Sequence, residues 1–221
     1  MVKRKIRRGD KKEEKDSKKR ESQMKWIVFI MIATIFAIVL IYFVVQGAKR
    51  FNYGGLSYEE MNQGSIKLYH TMIPVKDTGG NLIANFNLYL RNDPRELRDI
   101  SINEEIILKT NTIVSLSRDA EVGCDDAGIA GGNFLGFLKS AGIKISISYA
   151  EPDYAQEKNA SYLTCDANTD QSVIIIKKGE ENKITQERKD CFVIEFKDCD
   201  ILKTTERFMV ALYASSKGIS V

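Results

Sequence analysis

Two kinds of hydrophobic pattern divide this chain. Residues 26–45 form an unbroken apolar run that contains no charge and one weakly polar residue, Thr34. A helix of that length extends about 30 Å, which matches the hydrocarbon core of a bilayer. Beyond residue 65, apolar residues instead alternate with polar ones or recur at helical spacing, as in a folded domain. The sequence therefore predicts one transmembrane helix followed by a globular domain.

The periodic segments predict an α+β domain with a mixed, mainly antiparallel sheet of about six or seven strands and two helices. The first helix should run over 126–141, with Asp125 or Asp126 at its start and Gly142 at its end, and the second should start near Asp200. A strand–helix–strand order around the first helix suggests a crossover unit. The predicted strands are residues 66–75, 82–90, 105–109, 112–117, 143–149, 173–178 and 191–197, of which the first two form a hairpin with a turn at 76–81.

Charge is distributed unevenly along the chain. Residues 1–25 carry twelve Lys or Arg and five Asp or Glu, a net charge of +7, and the other 196 residues carry a net charge of −4. Because the basic tail lacks apolar periodicity, we expect it to be disordered or at most a solvated helix that attracts anionic lipid headgroups. The mildly acidic domain gives no reason to expect nucleic acid as a partner.

The position of the basic residues also predicts the orientation. Basic residues near a span stay on the cytoplasmic side, and only Lys49, Arg50 and Lys67 lie within about twenty residues after it. Because the run is longer than the apolar region of a signal peptide and lacks a good cleavage site, an uncleaved anchor is expected. The predicted organisation is a cytoplasmic tail (1–25), a transmembrane helix (26–46), a juxtamembrane connector (47–64) and an extracytoplasmic domain (65–221).

All four cysteines, Cys124, Cys165, Cys191 and Cys199, follow the apolar run, which predicts two disulfides in an oxidising compartment. The strand at 192–197 would hold Cys191 and Cys199 about 26 Å apart, whereas a disulfide joins Cα atoms about 6 Å apart. Two pairings remain, and a hairpin between the strands near 173 and 192 would favour Cys165–Cys199 with Cys124–Cys191. Asn159, in an Asn-X-Ser motif, is a candidate for glycosylation.

A glycine-rich helix follows two acidic residues. Asp125 and Asp126 could bind a cation or transfer protons, but capping of the helix is the favoured interpretation. The glycines lack the G-x-G-x-x-G spacing of a phosphate-binding loop. Since each glycine costs about 1 kcal/mol in a helix interior, close packing of the helix against the sheet or the last helix is the favoured explanation. The glycines in question are Gly128, Gly131, Gly132 and Gly136.

The remaining candidate chemistry is sparse. Arg91, Arg95 and Arg98 near Asp93 could bind an anion, although a salt-bridged loop is favoured. His70 is the only histidine and lies within a predicted strand without a catalytic motif. No Cys-x-x-Cys pair is present, so we expect neither a metal site nor a cofactor.

Several stretches together make the chain similar to a known group of proteins. They are residues 90–95 (Leu-Arg-Asn-Asp-Pro-Arg), 124–126 (Cys-Asp-Asp) before a Gly/Ala helix ending near Phe137-Leu138, the Cys191-led strand, Cys199, and 206–208 (Glu-Arg-Phe). This set resembles uncharacterised single-pass membrane-anchored proteins encoded in archaeal genomes, especially those of small-genome lineages. The resemblance covers roughly residues 82–215. It implies an anchored extracytoplasmic domain and no particular activity.

These observations favour a non-catalytic, membrane-tethered domain that recognises or scaffolds another component of the cell envelope, with the bilayer and an envelope protein as partners. The alternative is a membrane-anchored hydrolase that uses Asp125 and Asp126. A second alternative is a filament or secretion-system subunit held by the apolar helix. Carboxylates and arginines that converge in a deep pocket would favour the hydrolase, and an exposed apolar site would favour recognition.

Overall fold

The computed structural model describes residues 3–76, 79–121, 123–167 and 169–219 and contains two compact units, Met1–Lys49 and Arg50–Val221. The first unit is a single helix, α1 (Lys3–Ala48). Its segment Gln23–Val44 is long and apolar enough to cross a membrane, with a mean hydropathy of 3.1. The basic tail is therefore helical from Lys3, but the side chains of residues 1–22 lie outside the description, and headgroup binding there stays a prediction.

The second unit begins with a four-stranded antiparallel sheet in which each strand pairs with the next. The hairpin predicted from residues 66–90 is confirmed, although residues 77 and 78 of its turn lie outside the description. The juxtamembrane connector predicted over 47–64 is wrong, because two strands form there and bury Leu56 and Tyr58. The strands are β1 (Arg50–Tyr53), β2 (Leu56–Gln63), β3 (Ile66–Lys76) and β4 (Leu82–Leu90).

A second sheet has six strands in the order β5-β9-β10-β8-β6-β7. Neighbouring strands are parallel, except β9 and β10, which form a hairpin. Its strands are β5 (Ser101–Ile102), β6 (Asn111–Leu116), β7 (Lys144–Tyr149), β8 (Ser172–Lys178), β9 (Lys183–Arg188) and β10 (Cys191–Phe196). The helices of this unit are α2 (Arg118–Glu121), α3 (Ala127–Ser140), α4 (Pro152–Glu157) and α5 (Ile201–Ser215), and a 3-10 turn spans Leu97–Asp99.

Hydrophobic residues on the two faces of the second sheet belong to two separate cores. On one face, α3 and α5 pack against each other, with β10 contacting α5 and β4 of the first sheet contacting α3. The apolar residues of β8 and β10 alternate between the faces, as a strand with a period of two requires. Ile174, Ile176, Phe192, Ile194 and Phe196 belong to the main core, and Val173, Ile175, Cys191 and Val193 belong to a smaller core on the other face with Ala150 and Leu163.

The disulfides join Cys124 to Cys199 and Cys165 to Cys191, with Cα–Cα distances of 5.4 and 5.6 Å. The favoured pairing of Cys165 with Cys199 and of Cys124 with Cys191 is therefore wrong. It assumed an antiparallel hairpin of β8 and β10, but these strands are parallel and Cys191 lies opposite Val173. Parallel strands start at the same edge of a sheet, so Cys165, shortly before β8, lies beside the start of β10 and not its end.

The prediction of a mixed α+β fold with an apolar N-terminal helix is confirmed, whereas the single, mainly antiparallel sheet is replaced by two sheets. The crossover from β6 through α3 to β7 is also confirmed. The predicted strand at 105–109 is absent from the described structure, where this segment is irregular and contributes Ile106 to the main core. Strand β9 and helix α4 were not predicted, because they lie in segments with many polar residues.

Candidate functional site

The candidate site is a cavity beside β6 and β8, two neighbouring strands from which the chain continues toward opposite edges of the second sheet. From β6 the chain continues through α3 to β7 on one side, and from β8 it continues to β9 and β10 on the other. Ligands of open α/β sheets bind at such a switch point, outside the carboxyl ends of the two strands. A cavity of about 140 Å³ lies there, beside Leu116 at the end of β6 and Ile176 of β8, which are paired in the sheet. We call it the switch-point cavity.

The switch-point cavity is partly open, and three helices border it on its other sides. Its remaining walls come from α2, from the beginning of α3 and from the beginning of α5. Those residues are Ala120 and Glu121, then Ala127, Gly128, Ala130 and Gly131, and finally Ile201 and Thr205. Apart from Glu121 and the Thr205 hydroxyl, which bonds back to the carbonyl of Ile201 at 2.9 Å, the lining side chains are apolar or absent. The cavity therefore suits a small apolar group.

The glycines of α3 are not explained by helix packing, except at one position. A Cβ atom placed on Gly136 would lie 3.6 Å from the Phe86 ring, so the packing hypothesis holds there. A Cβ atom placed on Gly128, Gly131 or Gly132 would meet no heavy atom within 4 Å outside the local helix backbone, and the hypothesis is wrong for these three. Two of them, Gly128 and Gly131, line the switch-point cavity.

A disulfide holds the two helix starts beside each other. Cys124 lies three residues before α3 and Cys199 lies two residues before α5, and their bond links the two loops. This bond is at least partly accessible to solvent, whereas Cys165 and Cys191 are buried, with 7% and 3% exposure. The Cys124–Cys199 disulfide therefore links the starts of two helices that line the switch-point cavity.

A polar cluster borders the cavity at Glu121. Its carboxylate accepts a hydrogen bond from the Tyr154 hydroxyl at 2.8 Å and from Lys158 Nζ at 2.9 Å. The bond from Lys158 is the main cause that lowers the pKa of Glu121, against a smaller effect of burial. The guanidinium of Arg118 lies over the Tyr154 ring, 4.4 Å from its centre. Glu121 is thus held as a carboxylate with its donors already in place.

The structure does not bring Asp125 and Asp126 together with other candidate groups. Asp126 is the N-cap residue of α3, as predicted, but its carboxylate makes no capping hydrogen bond. Neither residue lines the switch-point cavity, and among the described residues no group of three or more His, Cys, Asp or Glu side chains has a metal-binding arrangement. No described contact gives these two carboxylates a role in acid–base chemistry.

Arg91 and Arg95 lie in a loop that is fixed to α5 and not in a cavity. The Glu206 carboxylate accepts hydrogen bonds from the backbone N–H of Arg91 at 2.6 Å and from the backbone and side-chain amides of Asn92 at 3.0 and 2.8 Å. Arg95 bonds to Asp93 through Nε at 2.9 Å, and its guanidinium lies 3.9 Å from the centre of the Phe51 ring. These contacts form the salt-bridged loop that was favoured from the sequence.

Arg95 also determines the protonation of its partner. Burial of Asp93 raises the pKa of its carboxyl, but the hydrogen bonds from Arg95 outweigh burial and lower that pKa overall. The stretches 90–95 and 206–208 are in contact through the hydrogen bonds that Glu206 accepts from Arg91 and Asn92.

Two other sequence candidates lie apart from the cavity. His70 stacks on Tyr89 with 4.7 Å between ring centres, and its Nε2 lies 3.0 Å from Asn87 Oδ1 on the exposed face of the first sheet. Asn159 is exposed and adopts a φ of +51°, a left-handed conformation that Asn tolerates better than most residues. Its glycosylation stays a prediction.

A larger cavity of about 430 Å³ lies near the end of α5. Glu104 and Glu105 line it on one side, and Gly218 lines it after the helix. Its wall includes Ile219, the last described residue. The switch-point cavity could not be predicted from the sequence, because its walls come from separate segments of the chain. The glycines of α3 were the one sequence feature that could have indicated a cavity. Their position beside Leu116 and Ile176 depends on the parallel pairing of β6 and β8, which the sequence does not reveal.

Two features of the chain bear on its cellular compartment, and comparisons with known proteins give no further indication. One apolar N-terminal helix fits a membrane anchor or a signal segment, and two disulfides fit an extracytoplasmic domain in an oxidising environment. No family model, curated protein or solved structure matches the chain.

Proposed function

We propose that this protein is a membrane-tethered extracytoplasmic recognition domain that binds an apolar side chain of another envelope protein in the switch-point cavity. Helix α1 anchors the chain, with the basic tail in the cytoplasm and Arg50–Val221 outside. The observation that carries the proposal is the apolar cavity at the strand switch point, which Gly128 and Gly131 leave open.

The size of the cavity supports an amino-acid side chain as the bound group. Pockets for drug-sized ligands and cofactors measure about 300–1,000 Å³. The switch-point cavity, at about 140 Å³, is close to the apolar cavity of about 150 Å³ that takes up a single benzene in another protein. One leucine-sized group fills such a space, and its burial contributes about 2 kcal/mol.

The cost of the glycines supports a binding role in preference to a structural one. Gly131 lies inside α3, where alanine would stabilise the helix by about 1 kcal/mol, and a Cβ atom there would meet no heavy atom within 4 Å outside the local helix backbone. A residue that weakens the fold without serving its packing points to a function that needs the space. Recognition of an apolar group uses this space directly.

The binding experiment compares two glycines that differ in what they face. The full chain in detergent is titrated with N-acetyl-leucinamide, and amide chemical shifts of α3 and β6 are followed by NMR. We expect the wild-type protein and Gly132→Ala to respond equally, because Gly132 does not line the cavity. Gly131→Ala should stabilise the fold to a similar extent and lose most of the response.

Two results would contradict recognition in the cavity. One is that N-acetyl-glycinamide, which lacks the apolar side chain, produces the same shifts as N-acetyl-leucinamide. The other is that Gly131→Ala leaves the leucinamide response unchanged, since the added methyl group would then lie outside the occupied space.

A separate experiment tests the tether and its orientation. Protease added to intact cells should cleave within 50–221 and spare the basic tail, because the positive charge before the span favours its retention in the cytoplasm. Protection of the C-terminal unit until the membrane is permeabilised would contradict this orientation. The two experiments fail independently, since one tests the site and the other tests the compartment.

A further inference from the structure

The beginning of α3 is stabilised less than its end. Asp126, the N-cap residue, makes no side-chain capping bond. Gly128, Gly131 and Gly132 lie within the first six positions of the helix. A missing capping bond and interior glycines both disfavour helix formation. Because the buried residues of α3 other than Ala130 lie in its second half, packing secures the end of this helix more than its beginning.

The loop before α3 depends on a disulfide for its connection to the rest of the domain. Cys124 Sγ is bonded to Cys199 Sγ and also lies 3.7 Å from the carbonyl oxygen of Asp198. Cys199 Sγ lies 3.5 Å from the carbonyl oxygen of Gly123. Among the described residues, no other hydrogen bond or ion pair reaches residues 123–126 from outside this loop and α3. The disulfide is therefore the main link between this loop and the start of α5.

The start of α5 has a second attachment that does not involve sulfur. The side chain of Asn182, between β8 and β9, donates to Asp200 Oδ2 at 2.7 Å and accepts from the backbone N–H of Lys197 at 2.7 Å. Asp200 is the N-cap residue of α5, and its own N–H donates to the Lys197 carbonyl at 3.0 Å. Loss of the disulfide would therefore release the start of α3 and leave the start of α5 in place.

Solvent reaches this disulfide more easily than the other one. Cys199 is exposed and Cys124 is half-buried. Cys165 and Cys191 have exposures of only 7% and 3%. A disulfide is reduced when a thiolate attacks one of its sulfur atoms, so the reaction depends on access to that atom. The Cys124–Cys199 bond is therefore the one that a reductant reaches first.

We infer that the Cys124–Cys199 disulfide is a redox switch for the switch-point cavity: a dithiol reduces it, the first turn of α3 becomes disordered, and binding of the apolar group weakens. This inference rests on the proposed function, because it names the regulation of the same site. Ala127 and Gly128 belong to that first turn and line the cavity. Their displacement removes one wall, while the walls from β6 and β8 remain.

The reduction consumes one dithiol for each disulfide. A thiolate of the dithiol attacks Cys199 Sγ, the sulfur–sulfur bond breaks, and Cys124 Sγ leaves as a thiolate that takes up a proton. The second thiol of the reductant then attacks the mixed disulfide and releases Cys199 as a thiol. Two electrons and two protons pass to the protein, and the reductant leaves as a disulfide. The reductant is a small dithiol or the paired thiols of another extracytoplasmic protein.

Selective reduction of the full chain in detergent tests the first step. Dithiothreitol is added, free thiols are alkylated, and the modified cysteines are identified by mass spectrometry. Cys124 and Cys199 should be alkylated first, while Cys165 and Cys191 stay bonded. Reduction of both disulfides at the same rate would overturn the inference, since the exposed bond would then have no selective response to a dithiol.

Amide hydrogen exchange before and after this reduction tests the release of α3. Exchange should accelerate severalfold at the amides of 130–133, since these bond to the loop and the first turn of α3. It should stay unchanged at 204–207, because Asn182 still holds the start of α5. Unchanged exchange at 130–133, or faster exchange in both helices, would overturn the inference, because the disulfide would then not hold α3 selectively.

The Kd of N-acetyl-leucinamide gives the functional readout. We expect the first turn of α3 to be ordered in at most about a third of the reduced molecules, which would raise the Kd at least about threefold. Cys124→Ser with Cys199→Ser should bind as weakly as the reduced wild-type protein and should not respond to dithiothreitol. The matched control is Cys165→Ala with Cys191→Ala, which keeps the exposed disulfide and should respond as the wild-type protein does.

The redox switch and the proposed function fail in different ways. If the oxidised protein shows no leucinamide response, the proposed function is contradicted, and hydrogen exchange still decides whether reduction releases α3. If the leucinamide Kd is the same before and after reduction, the redox switch is overturned and recognition in the cavity is unaffected.

Discussion

The pH dependence of stability should be controlled by Glu206, a carboxyl with 0% exposure in α5. Burial raises its pKa from the usual value to about 7, although the three hydrogen bonds from Arg91 and Asn92 act to lower it. Because its pKa is higher in the folded than in the unfolded state, the folded protein retains a proton that the unfolded chain has already released.

This shift has a definite sign and size. A pKa that rises from 4.5 to about 7 corresponds to about 3 kcal/mol. The contribution is fully present below about pH 4.5, and it is lost as the pH rises through about 7. Between about pH 5 and about pH 8, ionisation of Glu206 should therefore lower the free energy of unfolding by about 2–3 kcal/mol.

The assay is urea unfolding of the full chain in detergent at these two pH values, followed by near-ultraviolet circular dichroism. Glu206→Gln cannot ionise, so its free energy of unfolding should change less with pH than that of the wild-type protein, by about 2–3 kcal/mol. Glu187→Gln, which changes an exposed glutamate, should behave as the wild-type protein does. An identical pH dependence in all three proteins would refute the reasoning, since Glu206 would then ionise as it does in the unfolded chain.

Other contacts give simpler predictions. In the chain-entropy account, replacing Cys165 and Cys191 by alanine should cost about 3.5 kcal/mol and replacing Cys124 and Cys199 about 4.5 kcal/mol, because the closed loops span 26 and 75 residues. Urea unfolding measures both, and a smaller cost for the longer loop would contradict this account. Tyr154→Phe should cost about 1–2 kcal/mol through the lost hydrogen bond to a carboxylate, measured in the same way, and no change would show that this bond makes no net contribution.

Local patterns predicted the elements whose neighbours are close in sequence. The hairpin of β3 and β4 follows from alternation on both sides of a polar turn, and α3 follows from its acidic start and from Gly142, which has a φ of +80°. The helical spacing in α5 predicted its buried face correctly, because Phe208 and Met209 are both fully buried. These features depend on periods of two and 3.6 residues that sequence alone contains.

Features that depend on distant partners were not predictable in this way. Strands β8 and β10 are separated by β9 in sequence, and nothing in their composition distinguishes a parallel neighbour from a hairpin. The disulfide pairing was wrong for this reason, since it rested on the direction of one strand relative to another. The switch-point cavity depends on the same pairing, so the glycines of α3 were noted but assigned to packing.

The carboxyl groups of the domain give a physical argument for recognition over hydrolysis. A general acid or base works best when its pKa lies near the working pH and when it can reach the substrate. Glu121 reaches the switch-point cavity, but its bond from Lys158 lowers its pKa and keeps it ionised. Glu206 has a suitable pKa, yet it lines neither described cavity and its oxygens hold the loop at 91–92. Glu121 is therefore poorly tuned for proton transfer and Glu206 is inaccessible, so these two carboxyls support the proposed binding of an apolar group in preference to a hydrolysis that uses either of them.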